Sequence, residues 1–197
     1  MTARIRQLFR SSQAEVWRQL SAEIGGTYAQ GWRGRKVQAS HGEWTITLDT
    51  VNAKVALTRM RAPYVNPEGF RFTIYRKSVF SGLAVALGMQ DIRIGDPSFD
   101  EAFVIKGTHE SRVHALLADV TIRRLIDAQP QIHLSVKDDE GWFGAEFPEG
   151  VDELHFLAPG IITDLERLRQ LYDLFAAVLD RLCAIGSAYE RDPRVTL

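Results

Sequence analysis

The sequence predicts an α+β fold: antiparallel sheet carrying an N-terminal helix, two short central helices and a long C-terminal helix packed on the sheet. Three observations carry that expectation. Apolar side chains recur at every second position in runs between Thr27 and Lys77, the period of half-buried strands. They recur every third and fourth position over 13–24 and from Leu165 to Leu182, the period of helices. No linker or low-complexity segment interrupts the 197 residues, so 1–197 reads as a single domain. Its halves, 1–90 and 91–197, each hold a helix, a hairpin and further strands, as a degenerate duplication would leave them.

The first helix is announced by Ser12-Gln13-Ala14-Glu15, a capping box in which the serine caps the helix and the glutamate reaches back. Val16, Trp17, Leu20 and Ile24 form its apolar stripe, and Gly25-Gly26 ends it. Ahead of it, Ile5, Leu8 and Phe9 fall at helical spacing among Arg4, Arg6 and Arg10. Such a leader docks on its own domain or lies on an anionic membrane surface.

In the strand region Trp44, Ile46 and Leu48 alternate with Thr45, Thr47 and Asp49. Val55, Leu57 and Arg59 alternate with Ala56, Thr58 and Met60, and Phe70, Phe72 and Ile74 with Arg71, Thr73 and Tyr75. His41-Gly42 is a hairpin turn between strands near 35–40 and 43–51, while Ala62-Pro63 and Asn66-Pro67-Glu68-Gly69 mark a loop. Ser78 caps a short helix, Val79 to Leu87, rich in small residues.

At the middle of the chain stands Gly95-Asp96-Pro97-Ser98-Phe99-Asp100-Glu101-Ala102-Phe103-Val104-Ile105-Lys106-Gly107. Asp96 is placed to cap a helix and Pro97 suits its first position. Phe99 and Phe103, four apart, lie on one side of a helical turn, and Val104-Ile105 continue as a strand. Asp96, Pro97, Phe99, Asp100 and Phe103 are therefore read as structural. The alternative makes Asp96, Asp100 and Glu101 a carboxylate cluster serving a hydrolase with a histidine.

Thr108 opens a helix with Val113, Leu116 and Leu117 on one face, and Asp119 caps a second with Ile122, Leu125 and Ile126, ended by Pro130. Ile132, Leu134 and Val136 make a strand, Asp138 to Gly141 a hairpin loop, Trp142 to Phe147 the return strand and Leu154 to Ala158 one more. Thr163-Asp164-Leu165-Glu166 is a second capping box opening the longest helix. Leu165, Leu168, Tyr172, Phe175, Leu179 and Leu182 form its stripe, widened by Leu171, Leu174, Val178 and Ile185. That width suits a helix lying across a sheet, and a homodimer in which a partner copy covers the second flank is the other arrangement it allows.

One cysteine, Cys183, leaves no internal disulfide, and it reads as a small apolar filler beside that stripe. No signal peptide is recognised, and the apolar run Val79 to Gln90 is far shorter than the ~20 residues of a membrane span. A cytoplasmic protein is expected.

Chemistry is sparse. His109 and His114 are five apart, off the i, i+4 spacing that puts two zinc ligands on one helix face. His133 and His155 share a polar side only if their strands pair, and two histidines make an incomplete metal site. No nucleophile elbow, P-loop or dinucleotide fingerprint occurs. No cofactor and no metal are expected, and the chain is read as leaning away from an enzyme.

Charge supplies the best binding candidate. Residues 1–90 carry 13 Lys+Arg against 5 Asp+Glu, and residues 91–197 carry 11 against 20. Arg59, Arg61, Arg71, Arg76 and Lys77 could offer guanidinium and ammonium groups on a sheet face to a small anionic ligand, an acidic protein segment or a membrane surface. The same cations could instead pair internally with the acidic half. A near-neutral pI of about 6.5 and the lack of a reader motif argue against nucleic acid.

Glu15 to Leu20, Arg61 to Pro67, the Gly-Asp-Pro-x-Phe-Asp-x-x-Phe run and Asp139 to Phe143 together resemble a family of uncharacterised stand-alone bacterial proteins, over most of the chain. The run from Gly95 to Phe147 also resembles a bacterial domain of unknown function that in larger proteins can follow membrane-spanning helices. Neither resemblance implies an activity, a cofactor or a catalytic residue. The hairpin near Thr50 to Lys54 is shorter here than in the family. The function these readings imply is a non-catalytic binding module, with a peripheral membrane module and a hydrolase as alternatives.

Overall fold

The computed structural model describes residues 12–32, 34–52, 54–77, 90–138, 147–195 and 197. The basic leader around Ile5, Leu8 and Phe9, the helix expected from Val79 to Leu87 and most of the return strand expected from Trp142 to Phe147 lie outside the described residues. The elements run α1 (Gln13–Glu23), β1 (Thr27–Gly31), β2 (Gly34–His41), β3 (Trp44–Asn52), β4 (Ala56–Val65), β5 (Phe72–Arg76), β6 (Gln90–Ile92), α2 (Pro97–Ala102), β7 (Phe103–Gly107), α3 (Glu110–Leu117), α4 (Val120–Asp127), β8 (His133–Lys137), β9 (Val151–Pro159) and α5 (Leu165–Ala184).

All nine strands join one antiparallel sheet in the order β1-β2-β3-β4-β9-β8-β5-β7-β6. The basic and acidic halves therefore share a single sheet, stitched where β4 pairs β9 and β5 pairs β8. Side chains alternate along each strand, so the register decides what each face presents. One row crosses every strand as Tyr28, Val37, Leu48, Met60, Phe156, Leu134, Ile74, Ile105 and Ile92. The neighbouring row, on the opposite face, reads Thr27, Gln38, Thr47, Arg61, His155, Ser135, Thr73, Lys106 and Asp91.

The helices cover the apolar face. Helix α5 buries Leu168, Leu171, Leu174, Phe175, Val178, Leu179 and Leu182 and packs against α1, α3 and α4. Leu171, Leu174 and Val178, on the flank a second copy was to cover, are buried within the chain. Trp17 is fully buried, and its indole N–H donates to the Ile162 carbonyl at 3.1 Å, tying α1 to the entry of α5.

Several local expectations hold in detail. Ser12 and Glu15 form the reciprocal capping box, at 3.2 Å and 2.7 Å. Asp119 accepts from the Thr121 and Ile122 amides. Others shift. The cap of α5 is Asp164, whose carboxylate accepts the Arg167 amide, so the helix starts one residue later than expected and the Thr163–Glu166 box does not form. Thr108 does not cap α3: His109 holds that position without a side-chain bond, and the Thr108 hydroxyl accepts the Arg71 amide. Ala62-Pro63 is not a loop but part of β4. The β3 ladder has ended at Arg61, so the missing proline N–H breaks no bond on that side. Finally, β8 pairs β9 and β5.

Candidate anion-binding site

The polar face gathers its charge where β4, β9 and β8 lie side by side. Arg59 and Arg61 project from β4, Glu153, His155 and Leu157 from β9, and His133, Ser135 and Lys137 from β8. Arg61, His155 and Ser135 are direct cross-strand neighbours, and all three are buried, as is Glu153. Among the described residues, neither Glu153 carboxyl oxygen, nor His155 Nδ1, nor Ser135 Oγ has a hydrogen-bond partner.

That burial shapes the ionisation. It pushes the Glu153 carboxyl up to about 7, against the pull of Arg61, Arg59 and Lys137. Burial also drives the His155 imidazole well below its ordinary value, helped by Lys137, whose Nζ lies 3.4 Å from Nε2. His133, stacked on Tyr75 with ring centroids 6.0 Å apart, is lowered to about 4, by burial first and Lys137 second. The two histidines do share a face, as diagonal neighbours on paired strands. The described residues contain no group of three or more His, Cys, Asp or Glu side chains able to hold a metal ion.

Toward the β1–β2 hairpin the polar face opens into a hollow of about 480 Å³. Ala29, Gly31 and Gly34 line it with little or no side chain, which is why the space exists. Lys36, Arg59 and Arg61 bring three cations of the polar face to its walls, against the Asp49 carboxylate and the terminal oxygens of Leu197. Arg35 also lines it, but its side chain lies on the Val37 face, toward α1. Arg59 grips Asp49 in a bidentate fork, Nε to Oδ1 at 2.8 Å and Nη2 to Oδ2 at 2.9 Å. Arg61 Nη2 reaches the same Oδ2 at 2.8 Å. Lys36 Nζ donates to a terminal main-chain oxygen of Leu197 at 2.8 Å, and Arg35 Nη1, on the opposite face, to Gln13 at 2.7 Å. Trp32, 89 % exposed, stands at the rim. A pocket of this size suits a small ligand, and its charge favours an anion.

The other cations singled out from sequence stand apart from this hollow. Thr73, beside Arg71, is three strands from Arg61, on the order of 14 Å at the spacing of strands in a sheet. Arg71 pairs with Asp138 at 2.8 Å and Asp152 at 3.4 Å. Arg76 donates to Asp127, both carboxylate (3.1 Å) and carbonyl (2.8 Å), and lies 4.5 Å over the Phe103 ring. Lys77 Nζ donates to the Asp100 carbonyl at 2.8 Å. Arg59 and Arg61 are thus brought together; Arg71, Arg76 and Lys77 are held elsewhere, by acids and carbonyls of the second half.

The central motif builds a turn. Asp96 caps α2 by accepting the Phe99 amide at 3.2 Å and the Ser98 hydroxyl at 2.7 Å, and Pro97 takes the first helical position. The hydroxyl bond to Ser98, with the amide bond to Phe99, holds the Asp96 carboxyl below its ordinary value. Asp100 accepts the Ile94 and Gly95 amides, at 2.9 Å and 3.0 Å. Phe99 and Phe103 are buried with ring centroids 4.5 Å apart. Neither hollow that Asp96 or Asp100 lines includes a histidine.

Glu153, Ser135, Lys137, Lys36 and Asp49 were not singled out from sequence as site residues. The signal for Glu153 was present: Glu153-Leu154-His155-Phe156 alternates polar and apolar residues, which puts Glu153 and His155 on one face.

No family model matches the chain, and no curated protein matches it. Its fold is similar to the crystal structure of the mycobacterial trehalose monomycolate transport factor A, TtfA, with a TM-score of 0.50 over 85 % of this chain and 97 % of that one. The two are 10 % identical, so the likeness is one of fold. No helix among the described residues is long and apolar enough to cross a membrane.

Proposed function

We propose that this chain is a non-catalytic binding module that takes a small anion in the hollow between the β1–β2 and β3–β4 hairpins. The observation that carries the reading is the charge of that hollow: Lys36, Arg59 and Arg61 against the Asp49 carboxylate and the terminal oxygens of Leu197. Two of the cations are guanidinium groups that share one carboxylate, so their summed charge exceeds that of the counter-ion between them. An acidic protein segment would offer the same chemistry and competes for the same place. The resemblance to stand-alone bacterial proteins and the single cysteine support a bacterial, cytoplasmic setting. The transport role of the mycobacterial neighbour is compatible with a binding module and names no ligand for this one.

The hydrolase alternative has less support. Asp96 and Asp100 spend their carboxylates on backbone amides, and no histidine lines the hollows beside them.

Titration calorimetry with inorganic pyrophosphate at low salt tests the reading. A single site is expected, weakened about tenfold by Lys36→Gln and progressively by added salt. Absence of binding at millimolar pyrophosphate, or binding indifferent to Lys36→Gln, overturns it.

A further inference from the structure

We propose that the end of the sheet bearing the β1–β2 and β3–β4 hairpin tips docks on an anionic membrane surface, with the hollow receiving a phosphate headgroup. The proposal rests on the anion-binding reading above and adds the source of the anion.

The argument starts from topology. β1 ends and β2 begins at the Gly31–Gly34 pair, β3 ends and β4 begins at the Asn52–Ala56 pair, and β9 leaves the sheet beyond the Thr58–Ala158 pair. All three sites are at one end of the sheet, and the Gly160 amide donates to the Ala56 carbonyl there at 2.9 Å. Each carries an exposed apolar side chain: Trp32 at 89 %, Val55 at 60 % and Ile161 at 43 %. These are three of the five exposed large hydrophobic residues among the described ones. They form a line across about four strand spacings, on the order of 20 Å.

Lys54 adjoins Val55 in its tip, and Lys36 and Arg59 stand behind on the polar face, with Arg35 on the other. The anionic groups nearby are engaged: Asp49 holds Arg59 and Arg61, the terminal oxygens of Leu197 hold Lys36, and Asp164 caps α5. Apolar tips ahead of a basic collar match the two layers of an anionic bilayer surface, the tips entering the interface and the cations meeting phosphates. A tryptophan at the leading edge suits the headgroup level, where its ring is half solvated. A handful of tip residues or a few cations alone would bind weakly; at one end of the sheet they act together. The basic leader, for which the sequence allows docking on its own domain or on a membrane surface, lies outside the described residues and is not needed for this argument.

The test uses the full chain with vesicles of mixed phosphatidylglycerol and phosphatidylcholine, and with phosphatidylcholine alone. Sedimentation with the mixed vesicles but not the neutral ones is expected, falling as salt is raised. Val55→Ser/Ile161→Ser, outside the hollow and on exposed side chains, should weaken vesicle binding about tenfold or more. The same variant should leave pyrophosphate affinity within about twofold, since those side chains do not line the hollow. A blue shift of tryptophan emission on vesicle binding should disappear in Trp32→Phe. Pyrophosphate binding without vesicle binding overturns the membrane assignment and leaves the anion site standing. Binding of a polyglutamate peptide without vesicle binding also overturns it, in favour of a protein partner. Equal binding to neutral vesicles, or vesicle binding indifferent to the double variant, overturns it as well. Binding of none of these ligands overturns both readings.

Discussion

The Arg59 guanidinium forks onto the Asp49 carboxylate across β3 and β4, with both contacts at 2.8–2.9 Å. Arg61 takes a third contact on that carboxylate, so one negative charge orients two positive ones at the wall of a basic hollow. The pair therefore has opposite effects on stability and on binding. Asp49→Asn should tighten pyrophosphate binding several-fold, up to about tenfold, by removing a repulsive charge a few ångströms from the ligand. It should also lower the urea midpoint, because two partly buried cations lose their counter-ion. Unchanged or weaker pyrophosphate affinity in that variant would show that Asp49 does not oppose the anion.

Glu153 gives a pH signature. The native state keeps its proton up to about 7, whereas the unfolded chain releases it near the ordinary value of 4.5. The native state thus binds more protons between these values, and this group lowers stability as pH rises through that window, by on the order of 3 kcal/mol in all. His133 acts in the other direction. The unfolded chain takes up its proton near 6.5 and the native state only near 4, so stability rises with pH across that interval. The two slopes offset each other where they overlap. Glu153→Gln removes the opposing carboxyl slope, so urea unfolding at a series of pH values should show stability climbing more steeply toward neutrality, with His155 adding to His133 in the same direction. Identical pH profiles for the two proteins would sink the assignment.

Gly107 closes β7 beneath α3. A Cβ there would lie 2.5 Å from Val113 Cγ2 and 3.3 Å from Ile92 Cδ1. Gly107→Ala should cost about 1–3 kcal/mol by overpacking, read as a lower thermal midpoint. Adding Val113→Ala relieves that contact, so the double variant should lose less than the sum of the two single changes.

The aromatic pair of the central motif is a packing device. Phe103→Ala should destabilise the fold by about 3–5 kcal/mol, by the loss of a buried ring that also stacks under Arg76. Pyrophosphate affinity measured on the folded fraction should not change. A variant that kept its stability but lost a ligand would reverse the structural reading of the motif.

Much of the fold was legible because its causes are local. The Ser12–Glu15 box, the Asp96 and Asp119 caps and the Phe99–Phe103 spacing each involve residues within four positions, so identity and spacing suffice. Where two capping residues adjoin, as at Thr163 and Asp164, local chemistry leaves the start open by one residue, and the structure has Asp164 as the cap. Half of the site was legible for the same reason: Arg59 and Arg61 share a face of one strand. Their partner Asp49 and their neighbours Glu153 and Lys137 come from other strands, and only pairing brings them together.

From its residues alone this chain determined where helices and strands form and which side of each is apolar, because those properties follow from backbone period and capping within a few residues. The tertiary structure decided the strand order, and with it the split of the basic residues into one hollow and several internal pairs. That decision is non-local: β9 lies between β4 and β8, so a carboxyl from late in the chain is buried beside arginines from early in it. A one-residue slip in any of those pairings would exchange the apolar and polar rows, and burial of the apolar row under the helices is what forbids it.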